Sequence, residues 1–362
     1  YILMGGTQRP HLLRKTLAID VFGVPETAVK MITPDVGGSF GMKGNYFPEY
    51  QLALLAAREF GRPVKWICER SEGMLTDEHD RDMISEAALA LDADGKFLAL
   101  KVNNKANVGA YLGVRAPRPP VGKLGTYCGV YTTPAVHVDI SGYFTNTNCF
   151  NPYRGSGGPE AGFVLERLID KAAEKLGIDR IALRRKNLMP EDGFPYLSAM
   201  GMTFDCGEFE TNMDTTLELA DWDGVEARRA EARGRGKLVG IGLANYIEAP
   251  VGAPMERAEI TLDPDENRVR VIIGTQSQGQ GHETVFAQVA AQTWGVPMEK
   301  VIVTLADTAS VPMGYGTIAS RSAVTASAAI NEASEKVKGK VRLIAAHLLE
   351  APIGDLEFRD GG

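Results

Sequence analysis

Gly274-Thr275-Gln276-Ser277-Gln278-Gly279-Gln280-Gly281-His282 follows a β-rich run and opens a helical pattern. Two turns of the same kind stand far from it in the chain. They are Asp35-Val36-Gly37-Gly38-Ser39-Phe40-Gly41-Met42-Lys43 and Tyr153-Arg154-Gly155-Ser156-Gly157-Gly158-Pro159-Glu160. Glycine admits positive φ and lets a backbone approach a ligand closely. One such turn means little. Three, each feeding an amphipathic helix, point to N–H groups converging on one large anionic ligand.

Outward from these turns, strand, glycine turn and helix recur in both halves. After Pro10, Leu12, Leu13, Leu17 and Val21 keep a helical spacing that stops at Gly23. Residues 29–33 read as the strand that delivers the first turn. Pro48 starts a helix that Gly61 ends. Residues 64–68, 238–246, 257–262, 269–273 and 301–305 read as strands. Residues 83–91 and 97–103 flank Asp92-Ala93-Asp94-Gly95-Lys96 as a hairpin. Helices are expected over 161–176, 181–188, 211–231, 282–294 and 323–349. The proline-rich 115–121 reads as loop, and 355–362 as a strand entering a turn. Residues 190–203 break all periodicity, which places a domain at 1–195 and a second at 196–362. The fold class is α+β, with mixed sheets and packed helices.

The 362-residue length suits two domains, and 44% hydrophobic with 23% charged residues is ordinary for a globular chain. A net charge of −7 argues against a nucleic-acid partner. No apolar run reaches membrane-spanning length. Cys68, Cys128, Cys149 and Cys206 form no CxxC pair, which removes the usual zinc and iron–sulfur spacings and fits a reducing cytoplasm. There is no P-loop string, and the five histidines show no HExxH spacing. The opening Tyr1-Ile2-Leu3-Met4 and the closing 355–362 are those expected of an internal piece of a longer polypeptide.

Each motif has an ordinary reading beside its functional one. Residues 37–43 fit a plain strand-to-helix turn; alternatively Gly38 and Gly41 set backbone amides against a ligand and Phe40 lines a cavity. Gln8, before a helix, is either a surface amide or a donor to an anionic oxygen. Arg154 is either solvated or a guanidinium held to fork onto an anion. Glu160 reads as a helix-dipole partner rather than a base. Gln276, Gln278 and Gln280 are a polar surface alternation or, with Gly279 and Gly281, a grip on phosphate or a pterin edge. His282 caps a helix or touches the ligand. Ser320-Arg321-Ser322 is an ordinary cap or a phosphate turn. Cys149 reads as an inert, partly buried thiol rather than a nucleophile.

Taken in order, PDVGGSFGMKG, YRGSGGPEAGFVLERLID, LRRKNL and GTQSQGQGHETVFAQVAA resemble the molybdopterin-binding large subunit of the xanthine dehydrogenase / aldehyde oxidase / carbon monoxide dehydrogenase family. The resemblance covers roughly residues 5–330. It implies molybdenum-cofactor-binding domains of that type, with molybdenum held by the pterin dithiolene and no metal ligand from side chains. Gln8 and Gly41 would stand near the metal's ligands. Gly38, Phe40 and Gly41 resemble the family's turn beside the metal, and Arg154, followed by Gly155, its active-site arginine. Gln278, Gly279, Gln280, Gly281 and His282 resemble the pterin contact. Ser320, Arg321 and Ser322 resemble the nucleotide- and phosphate-binding turn.

The implied activity is hydroxylation of an aldehyde or N-heteroaromatic carbon with oxygen from water. The cofactor is expected in its cytosine dinucleotide form. The implied partners are an iron–sulfur (2Fe–2S) subunit and an FAD subunit, in a cytoplasmic dimer of heterotrimers acting on a small molecule. Gly155-Ser156-Gly157 stands where CO-oxidising members carry a cysteine, and Gly44 where purine-oxidising members carry a glutamate, so neither substrate is expected. The family's catalytic glutamate, in a Gly-x-Gly-Glu string, is not found here, so this stretch alone is expected to hold part of a cofactor site without turnover. Two alternatives are a non-catalytic scaffold or maturation protein of the same fold and an unrelated nucleotide-binding enzyme.

Overall fold

The computed structural model describes residues 1–116, 118–250 and 255–358. Its internal contacts gather Tyr1–Met74 with Ala249–Gly362 into one unit and Leu75–Glu248 into a second. In the first stretch β1 (Ile2–Met4) pairs in parallel with β2 (Lys30–Ile32). Between them α1 (Pro10–Lys15) runs on as a wider helical turn, Thr16–Val21. The apolar stripe expected there supplies Leu13 and Leu17 to a core with Leu3, Val29, Met31 and Leu54. Leu54 comes from α2 (Pro48–Phe60), which Pro48 opens and Gly61 closes at φ 60. Residues 64–68 form no strand. Trp66 and Ile67 are exposed, and no neighbouring strand among the described residues offers them a ladder.

At Leu75, within α3 (Arg70–Thr76), the chain enters the second unit. Its sheet has β3 (Met83–Leu91) antiparallel to β4 (Phe97–Gly109), and β4 parallel to β5 (Val136–Phe144). Asp92 closes the hairpin, its Oδ1 accepting from Asp94 N at 3.0 Å and Lys96 N at 2.8 Å. Residues 118–121 of the expected loop form one helical turn, α4 (Arg118–Val121); Pro117 lies outside the described residues. α5 (Gly158–Leu176) buries Ala161, Leu165, Ile169 and Ala173, one face at four-residue spacing, in the core that holds Phe97, Leu100 and Val102.

The LRRKNL string acquires a structural meaning in α6 (Arg180–Asn187), which Asp179 caps through Ile181 N and Ala182 N. Arg184 is fully buried. It pairs with Glu166 at 2.9 Å and Asp170 at 2.8 Å, and Glu166 also accepts from the Tyr131 hydroxyl at 2.6 Å. Asn187 ties α6 to the hairpin, accepting from Phe97 N at 2.8 Å and donating to Gly95 O at 2.9 Å.

Residues 190–203, expected to form a boundary between domains, stay inside the second unit and contribute to a short ladder, β6 (Tyr196–Leu197) with β7 (Thr203–Phe204). The helix expected over 211–231 is two helices, α7 (Phe209–Leu219) and α8 (Val225–Gly234), separated at Asp221, whose φ is 46. Residues 238–246 form no strand. Arg180 and Arg184 donate to the carbonyls of Ile241 and Leu243, occupying acceptors that a ladder would use.

Back in the first unit, β8 (Ala258–Asp263) is antiparallel to β9 (Arg268–Ile273). α9 (His282–Trp294) follows, and β10 (Val301–Thr304) joins β9 in parallel. α10 (Ser322–Leu349) packs Ala326 and Ile330 with Val271, Ile273, Phe286 and Trp294. Of the strand expected over 355–362, Asp355 instead closes a single tight turn, Ile353–Asp355, residues 356–358 form no strand, and 359–362 lie outside the described residues. The helices and mixed sheets are those of an α+β fold.

Truncating Arg184 to methionine leaves the Glu166 carboxylate buried without its cation. That loss is expected to cost about 3–5 kcal/mol, read as a lowered denaturation midpoint of the intact protein. An unchanged midpoint would show that Arg184 does not hold α5 to α6.

Candidate functional site

Strand β9 ends at Ile273, and at Gly274 the chain passes close against Gly314. A Cβ on Gly274 would lie 2.5 Å from the Gly314 Cα, so both positions demand glycine. The run that follows is drawn inward and fixed by its glutamines. Gln276, 1% exposed, donates to Thr7 O at 2.7 Å. Gln278 donates to Thr317 O at 2.9 Å and accepts from the Ser39 hydroxyl at 2.6 Å. Gln280 is exposed; its carbonyl accepts from Gln278 N at 2.6 Å. Its Nε2 has no partner among the described residues.

The other end of the first unit meets the same residue. Gln8, also buried, donates to Thr317 O at 3.0 Å, and Thr317 N donates to Gln8 O at 2.9 Å. The Thr317 hydroxyl donates to Gln276 O at 2.6 Å and accepts from Ser322 Oγ at 3.2 Å. Thr317 thus gathers Gln8, Gln276, Gln278 and Ser322 into one lattice. Nothing in the sequence singled it out, because its main contribution is a backbone carbonyl.

The 37–43 turn is pinned to that lattice. Gly41 N donates to Gln8 Oε1 at 2.9 Å, and Gly38 N to Gln278 O at 2.7 Å. These two amides, expected to face a ligand, bond within the protein. Gly38 sits at φ 87, and a Cβ there would come 2.9 Å from the Phe40 ring. Phe40 itself holds φ 55 and is 55% exposed.

Arg321 is fully buried and pairs with Glu256 at 2.7 Å, both side chains sealed from water. It also donates to Gly316 O at 3.0 Å and to Met255 O. Its charge is therefore neutralised inside the protein. What the turn presents is backbone: Ala319 and Ser320, both exposed, hold φ 50 and 53 just before α10 starts at Ser322. Two successive left-handed residues before a helix arrange N–H groups as an anion-binding concavity. His282 is buried, with Nδ1 3.0 Å from Gln276 O, and burial lowers its pKa, so the ring is neutral near pH 7.

Arg154 and Gly155 lie in the second unit. Gly155, Ser156 and Gly157 hold φ 94, 44 and 95, a left-handed run that leads into α5. A Cβ on Gly157 would collide with Pro119 O at 2.0 Å. The Arg154 side chain is exposed and without a partner among the described residues. Cys149 is buried; burial, then Glu78, pushes its thiol up to about 11, which favours the protonated thiol over a nucleophilic thiolate. Among the described residues no cluster of three His, Cys, Asp or Glu side chains can hold a metal ion. No helix there is long and apolar enough to cross a membrane.

Residues 1–188 match one molybdopterin cofactor-binding domain family and residues 215–362 a second. This chain belongs to the molybdopterin-binding subunit family of xanthine and carbon monoxide dehydrogenases. The carbon monoxide dehydrogenase large chain of Hydrogenophaga pseudoflava is 34% identical over 97% of this chain and 46% of its own. The 6-hydroxypseudooxynicotine dehydrogenase complex subunit gamma of Paenarthrobacter nicotinovorans is 33% identical over 99% of this chain and 46% of its own. The crystal structure of quinoline 2-oxidoreductase from Pseudomonas putida 86 superposes with a TM-score of 0.91 at 34% identity, covering 99% of this chain and 47% of that one. The chain thus spans about half the length of the relatives it matches.

For a molybdopterin-binding subunit, the first unit offers what a flat, polar, anionic cofactor needs. Gln276 Oε1 is buried without a donor, a ready acceptor for a pterin N–H. Gly279 and Gly281, at φ 124 and 71, have nothing within 4 Å of where a Cβ would stand, so a ligand can lie against bare backbone. The α9 and α10 N-termini follow these two turns directly. The residues present fit the group.

Substituting Thr317 by valine removes all three hydrogen bonds of its hydroxyl and strands the Gln276 N–H and carbonyl. The cost is expected to be about 1–3 kcal/mol, seen as a lower thermal midpoint. Serine at 317 should recover most of it. Equal midpoints for Val and native Thr would contradict the hub.

Proposed function

We propose that this chain supplies the cofactor-binding part of a molybdenum hydroxylase large subunit that oxidises an N-heteroaromatic or aldehyde carbon with oxygen from water. The observation that carries this reading is the Thr317 lattice, which fixes two glycine turns and the starts of α9 and α10 on one buried polar frame. When bound, the molybdenum pterin, in its cytosine dinucleotide form, supplies the two-electron redox chemistry that no side chain here can. Gln280 and the 279–281 backbone grip the pterin. Ser320, Ser322 and the α10 N-terminus hold the phosphate and nucleotide, with Arg321 stiffening that turn through Glu256. Gln8 and Gly41, bonded to each other, set the turn that carries Phe40. Phe40 lines the substrate cavity. Arg154 stabilises negative charge that develops on the substrate.

An N-heteroaromatic substrate has support from the quinoline 2-oxidoreductase and the 6-hydroxypseudooxynicotine dehydrogenase relatives. Carbon monoxide is not proposed despite the similar large chain, because Gly155-Ser156-Gly157 has no cysteine. The relatives named as a large chain and a complex subunit support partners. We assign these as a 2Fe–2S subunit and an FAD subunit, in a cytoplasmic dimer of heterotrimers.

The intact protein, purified with its partners and loaded with molybdenum, should hydroxylate a quinoline-type ring or an aldehyde in 18O-labelled water and place the label in product. Arg154→Met should lower kcat/KM by about 10²–10³-fold with molybdenum content unchanged. Absence of turnover across both substrate classes, or label arriving from dioxygen, would overturn the reading.

A further inference from the structure

Two carboxylates stand at the base of the Tyr153–Arg154 turn. Asp80, its side chain 2% exposed, accepts from Tyr153 N at 2.8 Å and from Arg81 N at 2.8 Å. Arg81 Nη1 pairs with Asp80 Oδ2 at 3.3 Å. Arg81 Nη2 donates to the Arg154 carbonyl, and its guanidinium lies 5.7 Å from the centroid of the Tyr153 ring. Arg81 holds φ 71, a strained conformation for a side-chain-bearing residue. The Asp80-Arg81 dipeptide therefore grips the backbone on both sides of the Tyr153–Arg154 peptide.

Glu160 opens α5 beside this clamp. Both of its oxygens are sealed from water, no N–H or O–H of another described residue donates to them, and the Asp80 carboxyl lies within hydrogen-bond reach. An ionised carboxylate in that condition is costly. The polar groups named around it are already engaged. Arg81 is committed to Asp80 and the Arg154 carbonyl. Tyr127 accepts from Asn104, and Tyr246, which leans on Gly158 and Gly162, donates to Glu248 at 2.6 Å. Lys123 is paired with Glu248.

We propose that Asp80 and Glu160 share one proton, and that this proton keeps the Tyr153–Arg154 turn clamped to Asp80-Arg81. With it the two carboxyls carry one negative charge, which Arg81 balances. Without it they carry two, set against the single positive charge of Arg81. Burial, reinforced by the Asp80 carboxylate, pushes Glu160 up to about 7, and burial also raises Asp80. The proton belongs to the pair rather than to either residue. A carboxyl raised in the folded state stabilises below its unfolded pKa, and that stabilisation is lost as pH rises through about 7. Glu160, Asp80 and Arg81 are positioning residues that act on Arg154 through its backbone. A consequence for turnover rests on Arg154 serving the substrate; the clamp itself does not.

Hydrogen exchange of the intact protein tests the clamp through the Tyr153, Ser156 and Gly158 amides, which donate to Asp80, Tyr153 O and Gly155 O. Glu160→Gln is the comparison, a permanently neutral side chain whose intrinsic exchange chemistry cancels. At about pH 5.5 the two proteins should exchange these amides alike, and at about pH 8.5 the native protein should exchange about tenfold faster. A native infrared band of a buried protonated carboxyl should vanish in the variant. Matching exchange at both pH values, or a band unchanged by Glu160→Gln, would overturn the proposal. The pH profile of kcat/KM separates the two readings. With the exchange difference present, a profile unmoved by Glu160→Gln would count against the role of Arg154 and leave the clamp standing.

Discussion

The carbonyl of Thr317 accepts from two buried glutamines, Gln8 and Gln278, that lie 270 positions apart in the chain. A carbonyl has two lone pairs, and leaving either glutamine amide unbonded inside the protein would cost about 1–3 kcal/mol. The remaining polar geometry of the first unit depends on that double acceptance. Gln8 in turn fixes Gly41, Gln278 fixes Gly38 and Ser39, and the Thr317 hydroxyl fixes Gln276 and meets Ser322. Two glycine turns and the start of α10 are therefore set by one residue, before any cofactor arrives. Such pre-ordering lowers what binding must spend on ordering loops.

Charge is used in two opposite ways. Arg321 with Glu256, and Arg184 with Glu166, are buried pairs with every partner satisfied inside the protein. They stiffen turns and helices and face no ligand through their charge. Arg154 is the reverse, an exposed guanidinium whose own carbonyl is held by Arg81. Holding the backbone while leaving the side chain unpaired is the arrangement expected of a group that must meet a transient charge.

The glycine turns were legible because positive φ and close backbone approach leave few alternatives to glycine; Gly38, Gly157 and Gly274 each show one or both reasons. Helices α2, α5 and α9 were legible from proline and glycine punctuation with a spaced apolar face. Thr317 was not, since any residue carries a carbonyl and only the fold selects which one is shared. Arg321 resembled a phosphate ligand in the sequence because Glu256, its partner, lies 65 positions away. Residues 238–246 have the alternation of a strand, but arginine side chains from α6 bond two of their carbonyls where a neighbouring strand would. The break in periodicity at 190–203 is a small ladder inside the second unit, and composition alone cannot distinguish that from a linker.

The central claim is that the Thr317-centred frame is built to hold a molybdenum pterin dinucleotide. Its most direct test is the molybdenum content of the intact protein, together with the nucleotide released on acid treatment, after expression in a host that makes the cofactor. The account predicts near-stoichiometric molybdenum and a cytidine nucleotide. A correctly folded protein carrying neither would contradict it.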